Sequence, residues 1–234
     1  MYGYGYGMFW DPTYILVIIG IVITMAASAK VKSTYARYQK VRSMSGITAA
    51  EAAQRILHGA GIYDVRIEHI SGNLTDNYDP RSKVLHLSDS TYRSTSVAAI
   101  GVAAHECGHA IQDAESYAPL RIRGAIVPVV NFGSALSWPM ILIGVLLSFN
   151  HVLITLGILL FSLTVLFQLV TLPVEFNASS RALHILRDSR LLQDQEVSGA
   201  SKVLKAAALT YVAGAAAALL QLLRLVLLFG RRND

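Results

Sequence analysis

The sequence predicts an α-helical integral membrane protein with about four transmembrane helices and a small α+β lobe. Three observations lead to this fold class. The 234-residue chain is 53% hydrophobic and only 15% charged, which is too apolar for a typical soluble domain. Its apolar residues are concentrated in long uncharged runs, and its charged residues lie between them. One charged segment contains strand-like stretches followed by a helix-compatible one.

The longest uncharged run predicts a transmembrane hairpin. No Asp, Glu, Lys or Arg occurs in the 51 residues from 124 to 174. A single helix of that length would extend about 75 Å, whereas the hydrocarbon core of a bilayer is about 30 Å thick. The polar stretch 148–151 is the natural turn. We therefore expect two spans joined as a hairpin over residues 124–172.

Two further uncharged runs predict the first and last spans. They cover residues 12–29 and 206–223. Arg224 follows the last run directly, and its long side chain can reach the membrane surface. A cleavable signal peptide is the alternative for the first run. No basic residue precedes that run, so we expect an uncleaved anchor.

The basic residues predict the orientation of the chain in the membrane. Residues 1–12 contain no Lys or Arg, whereas five basic residues follow the first span. The positive-inside rule then places the N terminus outside. With four spans, residues 30–123 and 173–205 both face the cytoplasm and carry seventeen of the twenty basic residues. The net charge of +5 follows from this topology, and we expect no nucleic-acid partner.

The chain therefore divides into five parts. These are an extracytoplasmic N terminus with the first span (1–29), a cytoplasmic lobe (30–123), a transmembrane hairpin (124–172), a second cytoplasmic segment (173–205), and a fourth span with the C terminus (206–234).

The first cytoplasmic segment predicts a small α+β lobe. Residues 48–51 form a capping box that opens an amphipathic helix. Residues 65–70, 74–78 and 83–87 have strand-like patterns. A helix-compatible run follows over residues 90–113. We expect strand 83–87 to be an edge strand that can hold an extended peptide, with an ordinary strand of the sheet as the alternative.

The most informative pattern in this helix is His105-Glu106-Cys107-Gly108-His109. Histidines four residues apart project from one helix face and can bind one metal ion, and Glu106 lies near enough to act on a metal-bound water. This HExxH pattern is typical of zincin metallopeptidases. The metzincin continuation is excluded, because Gln112 and Glu115 stand where it needs Gly and His. The alternative is a pair of inert helix histidines.

A catalytic zinc usually has three protein ligands, so a third side chain is needed. Glu175 is the best candidate, because it is the first charged residue after the hairpin and returns to the side of the membrane where the two histidines lie. Asp113 and His184 are alternatives. Glu175 could also cap a helix or pair with Arg181. The single Cys107 excludes an intramolecular disulfide, and we interpret it as a packing residue.

Three blocks of sequence resemble the YugP-like neutral zinc metallopeptidases of bacterial membranes, and the likeness covers nearly the whole chain. The blocks are LTDNYDP at 74–80, SVAAIGVAAHECGHAIQ at 96–112 and LPVEFNAS at 172–179. A more distant similarity is to the CAAX prenyl endopeptidases and the HtpX-like heat-shock proteases.

The resemblance implies a gluzincin-like site, in which zinc is bound by His105, His109 and Glu175. The wider group often has Asp four residues after the ligand glutamate, where this chain has Ser179. The family also favours Asp at the position of Asn177. A neutral partner orients a ligand histidine less strongly than a carboxylate does.

The sequence thus predicts a membrane-embedded zinc metalloendopeptidase with one Zn²⁺ per chain. Glu106 is the predicted catalytic base, and the substrates are peptides or membrane proteins at the cytoplasmic face of the bacterial plasma membrane. The first alternative is a non-catalytic zinc-binding interaction protein. A transporter is the second alternative, but the central hairpin has no charged residue of the kind that transporters place within their spans.

Overall fold

The computed structural model describes residues 11–230 and confirms the predicted fold class. It contains a small sheet and four helices that are long and apolar enough to cross a membrane. In chain order the elements are α1 (Tyr14–Tyr38), α2 (Ala49–Gly59), β1 (Arg66–Ile70), β2 (Asn77–Asp79), β3 (Val84–Ser88), α3 (Val97–Ala114), α4 (Ala118–Leu146), α5 (His151–Asp188) and α6 (Asp194–Phe229). Residues 1–10, which make up most of the predicted extracytoplasmic N terminus, lie outside the described residues. So do residues 231–234, which include Arg231 and Arg232.

The four candidate spans are α1, α4, α5 and α6. Many of their large apolar side chains are exposed, as expected for helices surrounded by lipid. The chain turns between α4 and α5 at the predicted polar stretch, where Ser148 and Phe149 have φ values of 56° and 61°. Helix α5 then continues to Asp188, so Glu175 and the apolar run before it share one helix. The five-part division of the chain stays a prediction.

The chain folds as two compact units. The first comprises Met1–Ala26, Arg123–Val170 and Tyr211–Asp234. Part of its core is an apolar cluster from α4, α5 and α6, consisting of Ile141, Phe161, Val165 and Leu225. The helices pack closely where a glycine removes the side chain: a Cβ added at Gly157 would lie 2.8 Å from the carbonyl oxygen of Ser137.

Arg224, which follows the last uncharged run within α6, has specific partners. Its Nη2 lies 3.2 Å from Oδ2 of Asp11. Its guanidinium carbon is 4.1 Å from the centroid of the Tyr14 ring. A cation next to a carboxylate and over an aromatic face is stabilised by both. The charge of Arg224 is therefore neutralised within the protein, where this residue is only 8% exposed.

The second unit comprises Ala27–Ile122 and Thr171–Thr210. Its sheet has the order β1-β3-β2, in which β3 is parallel to β1 and antiparallel to β2. The prediction of an edge strand at 83–87 is therefore wrong, because β3 pairs on both sides. Leu85 and Leu87 of β3 are fully buried. Buried apolar side chains of this kind are typical of a central strand, whose backbone is paired on both sides.

Both helices of the lobe begin at capping side chains. The predicted capping box of α2 is confirmed, because Thr48 Oγ1 accepts from the Glu51 backbone at 3.2 Å and Glu51 Oε2 accepts from the Thr48 backbone at 2.8 Å. Helix α3 begins seven residues later than the predicted residue 90. Ser96 caps it by accepting from the Ala99 backbone at 3.2 Å, and a serine at this position favours a helix start. The residues before Ser96 form turns.

Candidate metal centre

Helix α3 places two imidazoles side by side. His105 and His109 are one turn apart, and their ring centroids lie 4.8 Å from each other at an interplanar angle of 84°. The helix is buried along much of its length, so the two rings are held against the interior of the second unit. His109 is 8% exposed, and His105 is more accessible. The spacing predicted from the sequence is therefore present as a pair of neighbouring rings.

Helix α5 brings a carboxylate to this pair. Oε2 of Glu175 lies 3.2 Å from Nε2 of His105 and 3.5 Å from Nε2 of His109. Glu175 is only 2% exposed. The potential ligand atoms of these three residues all lie within 4.8 Å of one another, which makes them the candidate metal-binding group in residues 11–230. The structure thus brings together the two residues of one motif and a residue seventy positions away.

These distances fit a zinc ion. Zn–N and Zn–O bonds are roughly 2.0–2.1 Å long, so two ligand atoms of a tetrahedral zinc lie about 3.3 Å apart. The two separations of 3.2 and 3.5 Å lie on either side of that value. Two imidazole nitrogens and a carboxylate oxygen also form a common donor set of catalytic zinc, which leaves the fourth position for water. The residues present therefore suit the metal.

Gly108 explains how α5 approaches α3 so closely. A Cβ added at Gly108 would lie 2.6 Å from the carbonyl oxygen of Ala178 and 3.1 Å from its Cα. Both are backbone atoms, so they cannot move aside as a flexible side chain can. Gly108 lies beside His109, and Ala178 is three residues from Glu175. The missing side chain therefore lets the Glu175 carboxylate come within 3.5 Å of both imidazoles.

Gln112 orients His109. Its Nε2 donates to the carbonyl oxygen of Val174 and to Oδ1 of Asn177, each at 2.9 Å. With its amide nitrogen directed at two acceptors, its Oε1 faces Nδ1 of His109 at 3.0 Å. Nδ1 must then carry the hydrogen, because Oε1 can only accept. The nitrogen that faces Glu175 is then Nε2, which carries the lone pair in the neutral ring and is the atom that a metal would bind.

Ser179 orients His105. Its hydroxyl lies 3.1 Å from Nδ1 of that ring, which again leaves Nε2 facing Glu175. Asn177 accepts from both Gln112 and Arg181, the latter at 2.7 Å. The two departures from the family pattern therefore occur at residues that do make contact with the site. Both histidines are held by neutral side chains.

The part played by Gln112 was not predicted from the sequence, where this residue only excludes another class of site. A weak signal was present, because a residue three positions after His109 lies on the same helix face. Spacing alone does not show that the amide also reaches α5. That contact joins Gln112 to Val174, sixty-two positions away.

The alternative ligands have other partners. Asp113 accepts from the Tyr78 hydroxyl at 2.8 Å and from Lys83 at 2.7 Å. His184 is exposed and lies 2.6 Å from Asp188. Neither residue belongs to the metal-binding group in the described part of the chain.

Arg181, which the sequence offered as a partner for Glu175, forms its ion pair with Glu115 at 2.6 Å. Glu106 lies on α3 next to His105 and is 8% exposed. A carboxylate with so little access to bulk water can interact with groups inside the site. The predicted roles of Glu106 and of the three metal ligands remain proposals.

Cys107 points away from this site. It is fully buried, and its Sγ lies 3.6 Å from the carbonyl oxygen of Ala53 on α2. Burial raises the pKa of its thiol, and the nearby negative charge of Glu106 raises it further. A buried neutral thiol is a poor metal ligand and a poor nucleophile. The interpretation of Cys107 as a packing residue is confirmed.

Comparison with known proteins identifies the family of this chain. The sequence profile of the family described as "Putative neutral zinc metallopeptidase" matches residues 13–230. The chain is 50% identical over 219 residues to the "Putative membrane protease YugP" of Bacillus subtilis (strain 168), covering 94% of this chain and 97% of that protein. No solved structure matches. With its four apolar helices this is a multi-pass membrane protein, and the chain belongs to the neutral zinc metallopeptidase family.

Proposed function

We propose that the protein is a membrane-embedded zinc metalloendopeptidase that hydrolyses peptide bonds in membrane or membrane-proximal proteins. One observation carries the proposal. Nε2 of His105 and Nε2 of His109 lie 3.2 and 3.5 Å from a carboxylate oxygen of Glu175, close to the spacing of zinc ligands, and the potential ligand atoms of the three residues lie within 4.8 Å of one another. Family membership agrees with this chemistry.

In this proposal, His105, His109 and Glu175 hold one Zn²⁺ per chain. Zinc bound there would supply a Lewis acid for the scissile carbonyl and would lower the pKa of a water in the fourth position toward about 7. Glu106 accepts the proton of the attacking water and delivers it to the leaving amine. Its small exposure supports this part, because a proton carrier works best where bulk water does not compete.

The two histidines need no rearrangement to take part. Gln112 Oε1 accepts from Nδ1 of His109, which favours the tautomer that binds metal through Nε2, and the Ser179 hydroxyl holds the ring of His105 through its Nδ1. Preorganisation of this kind lowers the entropic cost of metal binding.

The membrane position limits the substrates. We propose that the metal centre faces the cytoplasm of a bacterial cell and lies in its plasma membrane, because the basic segments on either side of the hairpin favour that orientation. Peptides and unfolded segments close to the membrane surface reach such a site most readily. Folded soluble proteins with no loose segment are poor candidates.

The experiment compares the full-length wild type with Glu106→Gln in detergent. Cleavage of a loosely folded protein is followed by gel electrophoresis, and bound zinc is quantified in the same samples. We expect Glu106→Gln to keep its zinc and to lose activity by about 10²–10⁴-fold, the usual contribution of a general base. His109→Ala is expected to lose both zinc and activity.

Glu68→Gln is the matched control, because Glu68 lies on β1, is exposed and pairs with Arg66. It should cleave at the wild-type rate. Cleavage by Glu106→Gln at the parental rate would remove Glu106 from the mechanism. Zinc in every variant with hydrolysis in none, across several unfolded substrates, would favour the non-catalytic zinc-binding protein.

A further inference from the structure

A second candidate site lies between α1 and α6, within the second unit. It is a cavity of about 460 Å³, a size within the usual range of small-molecule pockets. One face of each helix lines it at helical spacing. The lining residues are Lys30, Ser33, Thr34, Arg37 and Tyr38 from α1, and Lys202, Lys205, Ala206 and Leu209 from α6. We call this cavity the basic pocket.

The basic pocket carries four cations and no acid among its lining residues. Within residues 11–230, none of Lys30, Arg37, Lys202 and Lys205 forms an ion pair with a carboxylate. The Tyr38 ring helps to hold two of them, with the Arg37 guanidinium carbon 5.7 Å and Lys202 Nζ 5.9 Å from its centroid. Cations that converge without a counter-charge repel one another. A bound anion would relieve this repulsion.

The position of the basic pocket indicates which anion it binds. Lys30 directly follows the uncharged run of α1, and Lys205 directly precedes the uncharged run of α6. Both helices therefore change from apolar to charged at the pocket. Along α6 the lining also changes from Lys202 and Lys205 to Ala206 and Leu209, while Lys30 of α1 lies at the end of the pocket next to the uncharged run. The α6 face therefore follows the order of groups in a phospholipid, from phosphate to acyl chain, and Lys30 lies near the junction of the two.

We propose that the basic pocket binds the headgroup of an anionic phospholipid. The lysines and Arg37 contact the phosphate, and the hydroxyl of Thr34 can donate to its oxygens, whereas that of Ser33 donates to the carbonyl oxygen of Lys30 at 3.1 Å. Basic pockets between transmembrane helices bind lipid phosphates in this way. Free phosphate could bind the same cations, but it has no apolar part to contact Ala206 and Leu209. The acyl chains of a lipid can make that contact.

A bound lipid would contact α1 and α6, and these two helices also pack on α3, which carries His105 and His109. The face of α1 and α6 behind the pocket packs on α3 through a cluster of Tyr35, Ala98 and Val203. Tyr35 further donates to the carbonyl oxygen of Ser90 at 3.1 Å. Lipid binding is a separate property from peptide hydrolysis, and it can be measured without any assay of activity.

The experiment measures lipid retention by native mass spectrometry of the full-length protein in detergent. Phosphatidylglycerol is compared with phosphatidylcholine of the same acyl chains. We expect the wild type to retain phosphatidylglycerol preferentially. Lys202→Gln/Lys205→Gln should weaken that binding by about 25-fold, since one cation near an anionic headgroup contributes about a factor of five. Lys202→Arg/Lys205→Arg should retain it.

Lys32→Gln/Lys40→Gln is the matched control. It removes the same number of lysines, from the basic stretch that follows the first apolar run, but neither residue lines the basic pocket. Binding by this variant should stay within about threefold of the wild type. All substituted lysines are exposed, and thermal melting confirms that each variant is folded.

Three results would overturn the proposal. The first is equal retention of phosphatidylcholine and phosphatidylglycerol. The second is an equal loss in Lys202→Gln/Lys205→Gln and Lys32→Gln/Lys40→Gln, which would indicate diffuse attraction to the basic surface. The third is displacement of the lipid by excess inorganic phosphate, which would identify a site for a free anion.

Discussion

The close approach of α3 and α5 at Gly108 predicts that Gly108→Ala weakens zinc binding. A Cβ at this position would lie 2.6 Å from the Ala178 carbonyl oxygen, whereas real Cβ contacts are essentially never shorter than 3.0 Å. The two backbones must therefore separate by about 0.4 Å or more. Glu175 moves with α5, so its oxygen moves away from the two imidazoles. Zinc sites tolerate changes of only about 0.2 Å in ligand distance.

The effect on zinc should exceed the effect on folding. Overpacking costs about 1–3 kcal/mol, but replacing glycine by alanine inside a helix returns about 1 kcal/mol. The net loss in the free energy of unfolding is thus about 0–2 kcal/mol. Misplacing a ligand carboxylate has no such compensation. We expect the zinc dissociation constant to rise by at least about tenfold, which corresponds to about 1.4 kcal/mol.

Competition with a chromogenic chelator measures that dissociation constant in detergent, and thermal melting of the zinc-free protein measures stability. Gly59→Ala is the control, because a Cβ at the end of α2 would have no atom within 4 Å. Zinc binding by Gly59→Ala should equal that of the wild type. If Gly108→Ala also binds zinc as tightly as the wild type, the proposed coupling between helix spacing and the metal group is wrong.

Three further predictions follow from individual contacts. Gln112→Leu removes the acceptor that orients His109, so the zinc dissociation constant should rise about 10–100-fold in the same chelator assay; an unchanged value would contradict that role. Cys107 should resist alkylation by a maleimide until the protein is unfolded, because its thiol is buried with a raised pKa; rapid labelling of the folded protein would show that α2 and α3 separate. Thr48→Ala removes the helix cap of α2 and should lower the free energy of unfolding by about 1 kcal/mol without changing zinc affinity, and a tenfold loss of zinc would show that α2 supports the site.

Local sequence patterns predicted most of the elements. The HExxH spacing predicted two histidines on one helix face, because the geometry of a helix turn is independent of the rest of the chain. The capping box at Thr48 predicted the start of α2 for the same reason. The uncharged runs predicted four spans, because a bilayer excludes charge over a known thickness. Glu175 was also identifiable as a candidate third ligand, because it is the first charged residue after the hairpin.

The patterns failed where an element depends on its neighbours. Residues 83–87 were recognised as a strand, but their place at the centre of the sheet depends on which strands pair with them. No local pattern predicted the hydrogen bond from Gln112 to Val174 or the contact of Gly108 with Ala178. Those contacts join residues more than sixty positions apart.

By itself the sequence determined the membrane class, the four apolar helices and the chemistry of the candidate ligands. Each of these depends on residue type and on spacing within one turn or one span. Only the tertiary structure decided that the Glu175 carboxylate lies within 3.5 Å of both Nε2 atoms, and that neutral side chains orient the two rings. The physical reason is that a metal group is defined to a fraction of an ångström by packing between helices, which no local pattern specifies.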